Sequence, residues 1–93
     1  MSRERRRVLY EGRVQGVGFR ATTFHLSSAF EVSGFVRNLP EGTVELEAQG
    51  DPSQIQEFLD AIRRELGPNI HRADESSLPV QADETPQLFQ IRY

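Results

Sequence analysis

Residues 33–49 read SGFVRNLPEGTVELEAQ. Two stretches with strand-forming residues, Ser33–Leu39 and Thr43–Gln49, are separated only by Pro40-Glu41-Gly42. So short a connection cannot hold a crossover helix, so the two strands are antiparallel neighbours joined as a hairpin. The second strand alternates cleanly, with Val44, Leu46 and Ala48 on one face and Thr43, Glu45, Glu47 and Gln49 on the other. A hairpin at this point rules out a doubly wound parallel sheet and frames the rest of the chain.

Upstream, Val8–Val14 (VLYEGRV) alternates like a strand, and the glycine-rich QGVGF follows it. Ala21–Phe30 is expected to be a helix, although Phe24, Leu26, Ala29 and Phe30 make an uneven stripe. Downstream, the signals are stronger. Asp51 suits an N-cap, Pro52 the first helical position, and Gln54 a capping-box partner. Ile55, Phe58, Leu59, Ile62 and Leu66 then form one apolar stripe, and Gly67-Pro68 stops the helix. Ile70–Asp74 is expected to be a fourth strand, Glu75–Pro86 an exposed loop and Leu88–Tyr93 a last short strand. Met1–Arg7 reads as a charged lead-in that need not be ordered. The expected fold is therefore one α+β domain over residues 8–93. It is a ferredoxin-like βαββαβ sandwich whose antiparallel sheet carries two helices on one face and a short C-terminal strand.

Size and composition agree with one domain. The chain has 93 residues, enough to leave roughly 5,500 Å² exposed out of the ~15,400 Å² of the unfolded form. There is no cysteine, and hence no disulfide framework, zinc ribbon or thiol nucleophile. No apolar run is long enough to span a bilayer, so a soluble, cytoplasmic monomer without a membrane partner is expected. The net charge of −3 conceals an asymmetry. Residues 1–40 hold seven arginines against three acids, and residues 41–93 hold four against eleven. An anion site is therefore expected in the first half. The absence of lysine excludes a P-loop and Schiff-base chemistry.

Gly16-Val17-Gly18-Phe19-Arg20-Ala21 formally satisfies the dinucleotide fingerprint G-x-G-x-x-G/A. That motif needs a parallel crossover, which the hairpin forbids. Its physics nonetheless remains: two glycines at a helix N-terminus let backbone N–H groups converge on an anion. Arg20 adds a planar fork suited to a phosphoryl group. Taken alone, the glycines serve a tight turn equally well and Arg20 a solvated surface.

GRVQGVGFR (Gly12–Arg20), followed by GFVRN (Gly34–Asn38) and PEGTVE (Pro40–Glu45), resembles the acylphosphatase family. The resemblance runs from about Val8 to Tyr93, and the nine-residue motif is highly specific. It implies hydrolysis of a carboxyl-phosphate anhydride to a carboxylate and inorganic phosphate, with neither metal nor cofactor. It further implies that Gln15, Gly16, Val17, Gly18 and Phe19 wrap the phosphate, that Arg20 binds it, and that Asn38 positions the attacking water. Four positions depart from the usual pattern: Ala21, Ser27, Glu31 and His71. Ala21 bears on the pocket wall, the others on packing and element ends.

The chemistry suits those residues. A carboxylate leaves an acyl phosphate with little need of protonation, so positioning and electrostatics can carry the rate without a strong base. The Asn38 amide does not titrate near neutrality but can accept from a water and donate to it. Its alternative is a residue bonded into its own hairpin. A non-catalytic or repurposed module binding phosphate or carbamoyl phosphate is the second reading. An RNA-binding sheet is the third, set aside because Glu45 and Glu47 give the outward face an acidic character and because aromatics suited to stacking are lacking there. No nucleic-acid partner is expected. His25 and His71 lie in no motif and are expected to be structural or surface residues.

Overall fold

The computed structural model describes residues 2–93. The elements are β1 (Glu4–Gly12), α1 (Phe19–Ser27), β2 (Val32–Asn38), β3 (Val44–Gly50), α2 (Pro52–Leu66), a short 3₁₀ turn (Gly67–Asn69), β4 (Ile70–Leu78) and β5 (Phe89–Arg92). The strands form one sheet in the order β4-β1-β3-β2-β5. The β2–β3 hairpin is antiparallel, with Val36 opposite Leu46 and Asn38 opposite Val44. The helices cover one face, as expected of a ferredoxin-like α+β sandwich. The sheet is mixed, however, because β5 pairs parallel to β2. Its chain crosses from the β4 edge to the opposite edge before re-entering the sheet.

Helix α2 forms as its sequence predicts. The Asp51 carboxylate accepts the Ser53 N–H at 3.0 Å, Pro52 opens the helix, and Ile55, Phe58, Leu59, Ile62 and Leu66 are all buried. Each such side chain contributes about 2 kcal/mol through burial. Gln54 differs from expectation, since its Oε1 accepts the Glu31 N–H at 2.9 Å and so ties α2 to the entry of β2. In α1 the buried stripe is Phe19, Thr23 and Ser27, while Phe24 is exposed. Two of those three are polar, hence the uneven apolar pattern. Ser27 satisfies its hydroxyl by donating to the Phe24 carbonyl at 2.6 Å. The aromatic core joins Phe58 to Phe30 and Phe89, with Tyr10 against Phe19. The accessible surface is 5451 Å².

Boundaries move: α1 spans Phe19–Ser27 in place of Ala21–Phe30, β1 ends at Gly12 and not Val14, and the largest shifts are at the start of β1 and the end of β4. The expected lead-in is largely strand, for Glu4–Arg7 belong to β1 and pair with β3 residues Glu47–Gly50. Their charges are met across the sheet. Arg5 is 2% exposed and donates to Glu47 at 2.8 Å, and Arg7 donates to Glu45 at 2.5 Å. Likewise β4 continues through Leu78, where a loop is expected, because the extended β1 supplies it with partners. The outward face is consequently not an acidic platform. Glu45 sits between Arg7 and Arg37, and Glu47 meets Arg5. The charge objection to RNA falls. A different observation takes its place: Phe35, the aromatic on that face, is 4% exposed with the Arg92 guanidinium 3.9 Å from its ring centroid, so its face is not open to a base.

Candidate active site

The site lies where the end of β1, the start of α1 and the end of β2 converge. Gly16 and Gly18 have φ of +76° and +78°, and an added Cβ at either would meet nothing within 4 Å. Glycine is needed there for backbone conformation and not for packing. Gly18 occupies the N-cap of α1 with no side-chain cap, so the first N–H groups of the helix are not engaged by a cap side chain. These donors and the helix dipole favour an anion.

A cavity of about 170 Å³ opens against this turn. Gly16, Gly18, Arg20 and Asn38 form its polar side. Val14, Phe19, Ala21, Ile91 and Tyr93 form the apolar remainder. Five predicted residues thus meet here: Gly16, Gly18, Phe19, Arg20 and Asn38. Gln15 and Val17 do not line the cavity. Gln15 turns toward the hairpin, donating to the Leu39 carbonyl at 2.9 Å and the Thr43 carbonyl at 2.8 Å. Val17 is 39% exposed.

Asn38 comes from the helix-facing side of β2, and its side chain enters the cavity from the sheet. Its Oδ1 is buried and has no hydrogen-bond partner among the described residues. A buried amide oxygen left in that condition is costly unless it serves another molecule. Arg20 is also placed unlike the arginines that pair with carboxylates. Arg5, Arg7, Arg37 and Arg72 each hold a carboxylate, whereas the Arg20 guanidinium lies 4.9 Å from the centroid of the Tyr93 ring. The ring, itself 98% exposed, lies against the fork without neutralising it.

Ile91 and Tyr93 were not foreseeable from local sequence. They reach Arg20 only through the chain crossing that places β5 beside β2. His25 and His71 are exposed and line no part of the cavity. Among the described residues no three His, Cys, Asp or Glu side chains group as metal ligands would. Among the same residues no helix is long and apolar enough to cross a membrane.

Comparison with known proteins agrees with this geometry. The acylphosphatase family model matches residues 6–91. An acylphosphatase of Chlorobaculum tepidum is 43% identical over 81 residues, spanning 87% of this chain and 84% of that protein. One from Geobacillus thermodenitrificans is 41% identical over 87 residues, spanning 92% and 90%. The crystal structure of acylphosphatase from Bacillus subtilis has the same fold, with a TM-score of 0.82 at 25% identity over 97% of this chain and 99% of that one. With a family match over nearly its whole length and relatives above 40% identity, the chain belongs to the acylphosphatase family.

Proposed function

We propose that the chain hydrolyses acyl phosphates to a carboxylate and inorganic phosphate, with Arg20 and Asn38 as its catalytic residues. The observation that carries this is Asn38, an amide whose Oδ1 has no partner among the described residues, lining the same cavity as Arg20 and the Gly16–Gly18 turn. In this mechanism the backbone N–H groups of residues 15–19 and the Arg20 fork hold the phosphoryl oxygens. Asn38 Oδ1 accepts a hydrogen bond from a water and aims it at phosphorus. The water oxygen bonds to phosphorus, the bond from phosphorus to the acyl oxygen breaks, and the carboxylate leaves with the electron pair. The water's proton passes to a phosphate oxygen. Positive charge and N–H dipoles fixed beforehand around the developing charge supply the acceleration. Gln15 contributes to the phosphate loop by fastening it, and Val17 through its backbone.

Family membership and near-full-length relatives named as acylphosphatases favour hydrolysis over a non-catalytic phosphate-binding or carbamoyl-phosphate-binding module. The proposal extends to a cytoplasmic monomer using no metal or cofactor and having no nucleic-acid or membrane partner. Benzoyl phosphate hydrolysis by the purified protein in EDTA is the test. Turnover that persists there, with inorganic phosphate as a competitive inhibitor, supports the mechanism. Turnover that vanishes and returns with Mg²⁺ or Zn²⁺ overturns it.

A further inference from the structure

The segment between β4 and β5 crosses the face of the sheet opposite the helices, and it is fastened there by buried polar groups. Glu84 Oε1 accepts from Arg5 Nη1 of β1 at 2.8 Å and from the Ser33 hydroxyl of β2 at 2.6 Å. Three residues earlier, the Gln81 N–H donates to Gln49 Oε1 of β3 at 2.7 Å, and its carbonyl accepts from Gln49 Nε2 at 2.9 Å. Arg5, Ser33 and Gln49 are 2%, 3% and 1% exposed. The strap is thus bolted to three strands.

We propose that Glu84 is a positioning residue for the reaction, fastening this strap so that β5 holds Ile91 in the cavity wall, with Tyr93 following directly from its end. The kinetic part of this inference rests on the function proposed above. Strand β5 has only four residues, lies at the sheet edge and pairs with β2 alone. So short a parallel ladder is weak in setting its own stagger, and a slip of one residue would turn Ile91 away from the helix side. Buried Phe89 anchors the beginning of β5 against Phe58, while Ile91 and Tyr93 lie beyond it. The turn feeding β5 contains Gln87 at φ +59°, the single non-glycine residue with positive φ among those described. Such a conformation persists only where surroundings enforce it. The Glu84 anchor lies three residues upstream of it.

The anchor is charged on both sides. Although burial opposes ionisation, hydrogen bonds from Arg5 and Ser33 hold the Glu84 carboxyl below its ordinary value. Removing Glu84 still leaves Arg5 paired with Glu47 at 2.8 Å, so the fold is expected to survive the substitution.

Two measurements on the full chain test the proposal. The Gly34 N–H donates to the Leu88 carbonyl at 3.0 Å, so its hydrogen exchange reports the attachment of β5 without any substrate. In Glu84→Ala that exchange should quicken by about tenfold or more relative to the β1–β3 amides. The kcat/KM for benzoyl phosphate should fall by about tenfold at a temperature where the variant is fully folded. Glu84→Gln keeps an acceptor for both donors and should recover most of that loss. Ser33→Ala, which removes one bond only, should move both readouts less and in the same direction. A merely structural Glu84 would lower the Tm and leave kcat/KM of the folded protein unchanged. That result, or unaltered Gly34 exchange, overturns the proposal. Absence of acyl phosphate hydrolysis in the unsubstituted protein would overturn the proposed function instead, leaving the exchange measurement to decide the anchor.

Discussion

Gln15 is tied to Leu39 by a 2.9 Å hydrogen bond from its side-chain Nε2 to the Leu39 carbonyl, and the same nitrogen donates to Thr43 at 2.8 Å. The loop carrying Gly16 and Gly18 is thereby joined to the end of β2, where Asn38 sits. Gly18 and Asn38 stand twenty residues apart in sequence, and one side chain ties their two segments together.

Gln15→Ala should accordingly damage turnover without touching a reacting atom. The substitution removes one donor from each carbonyl, but Leu39 keeps the Gly42 N–H at 3.1 Å and Thr43 keeps the Leu39 N–H at 2.9 Å. With both acceptors still satisfied, a loss of about 0.5–1.5 kcal/mol in stability is expected from urea unfolding. The kcat should fall by about tenfold or more as the loop and Asn38 lose their fixed spacing. A variant that is less stable but kinetically unchanged would show that the loop holds its shape alone.

Arg20→Lys keeps the charge and loses the fork. The guanidinium lies over the Tyr93 ring, an orientation that a lysine ammonium on its flexible stem does not reproduce. The expected loss in kcat/KM is roughly 10²-fold or greater, the scale of removing one main transition-state contact. Activity within a few-fold of the unsubstituted protein would reduce Arg20 to a distant counter-charge.

Much of this molecule was legible because its signals are local. Asp51, Pro52 and the stripe from Ile55 to Leu66 specify α2 within a single segment, and the alternation Val44, Leu46, Ala48 identifies the core face of β3. The glycine turn and Arg20 are likewise adjacent in sequence. What escaped was non-local. Arg5 and Arg7 read as part of a charged lead-in that need not be ordered, because their partners Glu47 and Glu45 stand about forty residues away. The second half of β4 has exposed residues on both faces, so no alternation marks it. Ile91 and Tyr93 become pocket wall only through the parallel β2–β5 pairing, for which a four-residue strand carries no signature.

The paired outer face makes a pH prediction. Burial opposes ionisation of Glu45, but hydrogen bonds from Arg7 and Arg37 outweigh it and hold the carboxyl below its ordinary value of 4.5. A carboxyl depressed in the folded state contributes stability above its unfolded value, and that contribution is lost as pH falls through the folded one. The urea midpoint should therefore hold steady between pH 7 and about pH 5 and fall progressively below about 4.5. Glu45→Gln should be less stable near neutrality, and its acid decline should be shallower. A variant whose midpoint falls as steeply as the parent's would place the acid-sensitive group elsewhere, with Glu84 the next candidate.

Asn38→Ala separates the two catalytic roles. If the buried Oδ1 serves the attacking water, its removal leaves the loop N–H groups and Arg20 able to hold phosphate. The kcat should fall by about 10²-fold or more, the scale for releasing a reactant from its attack position, while the inhibition constant for inorganic phosphate changes little. Arg20→Ala should instead lose turnover and phosphate affinity together. The backbone of Asn38 pairs with Val44 in the β2–β3 ladder, so the alanine variant should retain its circular dichroism and the hairpin its register. Because Oδ1 has no partner among the described residues, its removal should also leave stability unchanged or raise it slightly. Phosphate titration of that folded variant is decisive. An affinity that collapses along with kcat would move Asn38 from the water to the phosphate cradle.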